Sequence, residues 1–298
     1  MSRKIVYLIN PVAGVKTKSL LQDTISRETG QRGIGFEIVH TNAEGDYRFL
    51  ADKIRHEGVT DVVVCGGDGS INAVAAALMG VDVNIGIIPM GSGNGLALTA
   101  KIPLKMMRAL EVVFRGQAMY VDGCFINERF SCMLCGIGFD AKVAHEFAKQ
   151  KRRGLKTYIK VTGANFFSAH PYLFEVYANE KRFTTEAYFI SIANSNQFGN
   201  NFTIAPHADL SDGLIDVVIV KKMSKLILPF SLIGHVTGFT NAYDEDDEEK
   251  GNIVYFQASS LTITNPQNAP LHIDGEPADT ASQFNIRVVP RAIRLIQP

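Results

Sequence analysis

No run of roughly eighteen uninterrupted apolar residues occurs in the 298-residue chain, so no segment has the length a membrane-spanning helix needs. The nearest approach, Leu226 to Phe239, is broken by Pro229, His235 and two glycines. Charge of one sign is also lacking. Thirty Lys and Arg against thirty Asp and Glu leave no surplus, which argues against electrostatic attachment to nucleic acid. Arg3 and Lys4 precede only five apolar residues before Asn10-Pro11, too few for a secretory signal, so the chain is expected in the cytoplasm. Four cysteines make no disulfide framework. Cys132 and Cys135 form one C-x-x-C pair among apolar neighbours, without a second pair or a histidine cluster, and read as buried structural thiols. No internal repeat is present, and the one low-complexity stretch, Asp244–Glu249, reads as a solvated acidic loop.

What is present is an ordinary globular composition, 46% apolar and 20% charged, at a length of about two domains. Up to about residue 100, branched apolar runs (Lys4–Ile9, Phe36–Val39, Val62–Cys65, Ile85–Ile88) alternate with helically spaced segments around Leu20–Ile25, Phe49–Ile54 and Val74–Met79. Nearly all-apolar strands joined by helices predict an α/β domain with a doubly wound parallel sheet. From about Tyr120 the pattern changes to strand-like runs with few helices between them: Tyr172–Tyr177, Ala187–Ala193, Leu214–Val220, Ile253–Phe256, Leu261–Ile263 and Phe284–Val288. This half predicts a mostly antiparallel β domain of sandwich or barrel type, with helices around Ala141–Gln150 and Lys225–Phe239. The expected division is 1–122 and 123–290, with 291–298 returning to the first domain.

Two glycine-rich turns each follow a strand. Val62–Cys65 runs into Gly66-Gly67-Asp68-Gly69-Ser70, and Ile85–Ile88 into Pro89-Met90-Gly91-Ser92-Gly93-Asn94-Gly95. Glycine lets a backbone approach a ligand without Cβ interference, a positive φ is expected at Gly93, and Ser70 is expected to cap the following helix. The N–H groups at such a helix start suit an anion. Asp68 would repel a phosphate unless a cation such as Mg²⁺ stood between them, which points to a metal–nucleotide ligand. Neither G-x-G-x-x-G nor G-x-x-x-x-G-K-[ST] occurs, so the dinucleotide-fold and P-loop readings fail.

In chain order, Asn10-Pro11…Gly14, His40-Thr41, Gly66–Ser70 and Gly91-Ser92-Gly93-Asn94 resemble the diacylglycerol kinase catalytic family, which includes bacterial lipid kinases, sphingosine kinases and ceramide kinases. Asp122 resembles that family's acid at the domain junction, Asp209–Asp216 its D-G-x-x-D segment, and Asp274-Gly275-Glu276 its D-G-E. The resemblance implies a phosphofructokinase-like first domain and an ATP-dependent lipid kinase, acting on a diacylglycerol- or sphingoid-type hydroxyl. It assigns ATP to Asn10, Thr41, Gly66, Gly67, Asp68, Gly69, Ser70, Asn72, Gly91, Ser92, Gly93 and Asn94. Asp68 and Asp122 would hold Mg²⁺ through water, Glu276 would be the general base, and Asp274 its supporting acid. A second metal would take the Asp212 side chain and the carbonyls of Asp209 and Leu214. Two positions depart from the family pattern: Ala73 where Glu is frequent, and Gly95 where Asp is frequent. The second departure is closer to the sphingosine and ceramide kinase pattern.

Basic clusters at Lys149, Lys151, Arg152, Arg153 and Lys156, and at Lys221, Lys222 and Lys225, adjoin apolar segments. They give the expectation of peripheral contact with the inner membrane face, where the lipid substrate lies. A homodimer is compatible with the chain. The rival enzyme is an NAD kinase, which shares G-G-D-G but not the G-S-G-N turn or the late D-G-E. The rival of another class is a non-catalytic nucleotide sensor, suggested by Ala73.

Overall fold

The computed structural model describes residues 3–10, 18–41, 45–150, 154–197, 203–225 and 251–298. Pro11–Gly14, Lys151–Arg153, the acidic run Asp244–Glu249 and all of the expected Lys225–Phe239 helix except Lys225 lie outside these residues. The chain divides into two compact units, Met1–Val121 with Arg291–Pro298, and Asp122–Pro290.

In the first unit the branched apolar runs become β1 (Lys4–Ile9), β2 (Gly35–His40), β3 (Asp61–Gly66) and β4 (Asn84–Pro89). They are hydrogen-bonded in the order β4-β3-β1-β2, all parallel. Val62, Val63 and Val64 are 0% exposed, so successive side chains, which point to opposite faces, are all covered. The helices α1 (Lys18–Gln31), α2 (Phe49–Glu57) and α3 (Asp68–Leu78) follow the first three strands; α4 (Gly95–Thr99) and α5 (Met106–Arg115) follow β4. Arg294 and Leu295, from the returning C-terminal segment, run parallel to Asn84 and Ile85. One expectation is corrected: α3 opens at Asp68 with extended Gly67 as its cap, not at Ser70. Gly67 reaches this conformation with no side-chain cap, and Ser70 falls inside the first turn.

A buried carboxylate ties the amino ends of these strands together. Asp61, 1% exposed, accepts from Arg3 Nε at 2.9 Å, Asn84 Nδ2 at 3.1 Å and Thr60 Oγ1 at 2.7 Å. Asp61→Ala strands those donors, and we expect it to cost about 3 kcal/mol or more, read as a lowered midpoint in urea unfolding with an unchanged slope.

The second unit is predominantly β. Its strands are the end of β5 (Gln117–Ile126), β6 (Arg129–Ser131), β7 (Leu134–Gly138), β8 (Tyr172–Ala178), β9 (Lys181–Ala193), β10 (Ile215–Lys221), β11 (Ile253–Ala258), β12 (Ser260–Thr264), β13 (Leu271–Ile273), β14 (Glu276–Ala278) and β15 (Gln283–Gln297), which continues into the first unit. Pairing within the unit is antiparallel, in the order β14-β13-β7-β9-β8-β12-β15, with β10 and β11 branching from β9. Ile190 and Ile192 of β9 pack into a core with Phe174, Val217, Ile263 and Phe284. Tyr188 and Phe189 pack with Phe139 and Val143 of α6 (Phe139–Ala148) and Val161 of α7 (Leu155–Phe166). Cys65, Cys124, Cys132 and Cys135 are buried and form no disulfide. Burial pushes the Cys135 thiol up, with a contact to Cys124 second, which fits inert structural thiols.

Candidate active site

Parallel strands bring four chain exits to one end of the first sheet, so Asn10, Thr41, Gly66 and Met90, at the ends of β1, β2, β3 and β4, are neighbours. Thr41 N donates to Ile9 O at 3.0 Å, Asn10 N to Cys65 O at 3.1 Å, and Met90 N to Gly66 O at 2.9 Å. Asn10 Nδ2 donates to Ser70 Oγ at 2.9 Å, across the β1–β3 boundary where the winding of the sheet reverses. Ligands of open α/β sheets bind at that boundary. Buried Tyr47, which the sequence reading missed, holds the Thr41 side chain by a hydrogen bond.

The two glycine turns pack backbone against backbone. A Cβ on Gly91 would lie 2.6 Å from Gly67 Cα and 2.9 Å from Asn94 Oδ1; one on Gly67 would lie 2.9 Å from Gly91 Cα. Asn94 closes the second turn by accepting from Gly91 N at 2.8 Å and donating to Gly91 O at 2.9 Å. The left-handed residue of this turn is Asn94, φ 55°, and not Gly93, which corrects the conformation expected there. Its short side chain satisfies that backbone locally. Gly66 and Asn94 are buried, Gly67, Ser70, Asn72, Gly91 and Gly93 half-buried, and Gly69 and Ser92 exposed.

Asp68 sits at the first position of α3. Its Oδ1 is buried and has no hydrogen-bond partner. Burial pushes its pKa up, opposed by the backbone N–H groups of Gly95, Leu96 and Asn94, so the carboxylate reaches from the first turn to the second. An orphaned buried oxygen beside a glycine-lined backbone surface fits a phosphate group whose charge is met by a divalent cation.

In the second unit, Asp122 is 1% exposed and its Oδ2 accepts from Gly213 N at 2.7 Å. Its N donates to Leu210 O at 2.7 Å, and its carbonyl accepts from Asn194 Nδ2 at 2.9 Å. Asp122 and the Asp209–Leu214 segment are thus brought together. Asp209 Oδ1 accepts from Ser211 N and Oγ at 2.8 and 2.9 Å, and Asp212 Oδ1 from Leu214 N at 2.9 Å, so both carboxylates cap the turn around Gly213. Among the described residues no group of three or more His, Cys, Asp or Glu is placed to hold a metal. Sequence reasoning missed Asn194 and Ser195, both 0% exposed, although a polar pair directly after the apolar run of β9 was a readable signal.

Asp274 and Gly275, φ 50° and 79°, form the two-residue turn of the β13–β14 hairpin, with Ile273 opposite Glu276. Asp274 Oδ1 accepts from Ser131 Oγ at 2.6 Å and Leu134 N at 3.1 Å. Glu276 is the first residue of β14 and is exposed.

Paired glycine turns at one end of a parallel sheet, in a chain whose second unit is β-rich and carries D-G-E, define a kinase of two domains. Residues 4–126 match the model of the diacylglycerol kinase catalytic domain, and 134–297 that of the YegS C-terminal NAD kinase beta sandwich-like domain. The chain is 29% identical to "Probable lipid kinase YegS" of Escherichia fergusonii over 274 residues, covering 89% of this chain and 87% of the relative. It is 25% identical to an uncharacterized protein of Synechocystis, covering 98% of this chain and 69% of that one. A crystal structure of a diacylglycerol kinase from Bacillus anthracis superposes with a TM-score of 0.75 at 18% identity, covering 99% of this chain and 97% of that one. The chain belongs to the diacylglycerol kinase catalytic family and is a lipid kinase of the YegS type.

Proposed function

We propose that this kinase transfers the γ-phosphoryl group of ATP to a lipid hydroxyl of diacylglycerol or sphingoid type. The observation that carries the reading is the Gly67–Gly91 backbone contact beside the unpartnered Oδ1 of Asp68. Bound Mg²⁺ would neutralise phosphate charge in the transition state. Asp68 would hold it through water, and the backbone N–H groups opening α3 would orient the phosphates. Asp122, with Oδ2 on Gly213, is assigned to ordering the Asp209–Leu214 turn, and no step is assigned to a second metal. Glu276 would take the proton of the attacking hydroxyl, and Asp274 would fix the hairpin that presents it. The NAD kinase-like description of the second family model favours one alternative acceptor, the NAD ribose hydroxyl.

The nucleotide side is tested by calorimetric titration with Mg·ATP. Gly91→Ala inserts a methyl group into the Gly67 contact, an overpacking of about 1–3 kcal/mol, and if that strain falls on the nucleotide-bound state the dissociation constant should rise roughly 5- to 150-fold. An unchanged constant in the folded variant would make the second turn purely structural.

Membrane contact is part of the same proposal. No helix of the described residues is long and apolar enough to cross a membrane. Ile159 of α7 is 61% exposed and Phe167 just after it 82%, beside Lys225, whose Nζ donates to Phe167 O. Basic groups next to exposed apolar side chains suit an anionic lipid surface. Phe167→Ser should weaken sedimentation with phosphatidylglycerol vesicles roughly tenfold, the loss expected from one buried aromatic ring. Equal binding by the variant would remove α7 from the contact.

A further inference from the structure

We propose that His272, buried against the Asp140 carboxylate, is a positioning residue that fixes the hairpin presenting Glu276. The proposal rests on the reading of Glu276 as the general base. Both N–H groups of the two-residue turn have an acceptor. Asp274 N donates to Leu134 O at 2.9 Å, and Gly275 N donates to His272 Nδ1 at 3.2 Å. Because Nδ1 accepts, the neutral ring carries its proton on Nε2, which lies 3.4 Å from Asp140 Oδ2. His272 is 2% exposed and Asp140 7%. Burial, with the charge of Asp140 second, pushes the Tyr158 hydroxyl up to about 12, so this carboxylate is felt by its neighbours.

The pair occupies space that one glycine leaves open. A Cβ on Gly136 of β7 would overlap the Asp140 carboxylate and come within 2.5 Å of His272 Nε2. Two further bonds fasten the start of β13 to the same region: His145 of α6 meets Leu271 O through Nε2 at 2.7 Å, and Gly138 N donates to Pro270 O at 2.9 Å. A buried polar pair is a costly way to pack a three-residue strand, since an apolar side chain of like size fills the volume without desolvation. What the histidine adds is an acceptor at one point, on the turn amide immediately before Glu276. Displacing a reacting group by about 1 Å costs on the order of 10² in rate, so fixing that amide has a catalytic consequence. His272 would act through Glu276 and touch neither nucleotide nor acceptor.

The test compares four variants of the full chain in steady-state phosphoryl transfer, with Mg·ATP affinity measured in parallel. His272→Leu removes the acceptor. His272→Asn places Oδ1 where Nδ1 was, and His272→Gln moves the acceptor to the Nε2 position. Glu276→Gln reports on the base itself. We expect Leu and Gln each to lower kcat roughly 10- to 100-fold with KM for ATP within about twofold, and Asn to restore kcat to within about fivefold. A general packing role would not separate Asn from Gln, and if the Leu variant does not fold the Asn–Gln pair still decides. Equal kcat for Asn and Gln, or a wild-type kcat in the Leu or Gln variant while Glu276→Gln is inactive, overturns the proposal. Wild-type turnover in Glu276→Gln overturns the base assignment instead, and the proposal with it.

Discussion

Asp68→Asn should turn over at about a thousandth of the wild-type rate or less, while unfolding at a higher temperature than the wild type without nucleotide. The rate follows from the one carboxylate in the glycine turns. Electrostatic stabilisation at a phosphoryl-transfer centre is worth on the order of 10² to 10³ per group, and in the proposed role this group would also hold the cation. The stability effect follows from burial. Asp68 Oδ1 has no partner, and burial holds the pKa above its unfolded value, so the ionised form is the one the fold disfavours. A carboxyl raised in the folded state imposes no penalty below its unfolded pKa of about 4, and an increasing one as pH rises towards the folded value. The thermal gain of the amide variant should therefore be largest at neutral pH and vanish below about pH 4. Denaturation scans at several pH values, with and without Mg·ATP, check this. Near-normal turnover at saturating Mg²⁺ would end the metal–nucleotide role of Asp68, and a lowered midpoint at neutral pH would end the account of its burial.

Glu276→Gln should cut kcat by on the order of 10² to 10⁴ and leave ATP binding nearly unchanged. A lipid hydroxyl has a high pKa and needs a proton acceptor as its oxygen attacks. The amide keeps the size and hydrogen bonding of the glutamate and loses its basicity. The hairpin should survive, because its turn depends on Asp274 and Gly275, with φ 50° and 79°, and on the bonds of Asp274 to Ser131 and Leu134. Wild-type turnover would disqualify Glu276 and leave Asp68 as the candidate base. Loss of ATP affinity would mean that Glu276 organises the nucleotide rather than the acceptor.

The first sheet was legible because a parallel strand covered on both faces needs a continuous branched run, as in Val62–Val64, and because glycines mark the turns that follow. The helix cap was misread: Ser70 has the preferred side chain, but the Gly67–Gly91 contact fixes the chain earlier. In the second unit, β6, β13 and β14 span three residues each, too short for a period-two pattern, and owe their pairing to neighbours distant in sequence. Helix α7 was missed because Ile159 stays exposed and Gly163 interrupts its apolar stripe. Asp122, Asp274 and Glu276 were picked out by resemblance, since an isolated carboxylate carries no local signal. Tyr47, Asp140 and His272 are unremarkable as letters; only the topology buries Tyr47 beside Thr41 and sets Asp140 and His272 behind the β13–β14 turn.

Transfer to a lipid hydroxyl is read out by incubating the full chain with γ-labelled ATP and Mg²⁺, against diacylglycerol, sphingosine, ceramide and phosphatidylglycerol in vesicles and NAD in solution, followed by organic extraction. A kinase of this kind should yield labelled phosphorylated lipid from one of the lipids, lost in Asp68→Asn and Glu276→Gln, with no labelled NADP. Label confined to NADP, or no transfer to any acceptor by a protein that binds Mg·ATP, would contradict it.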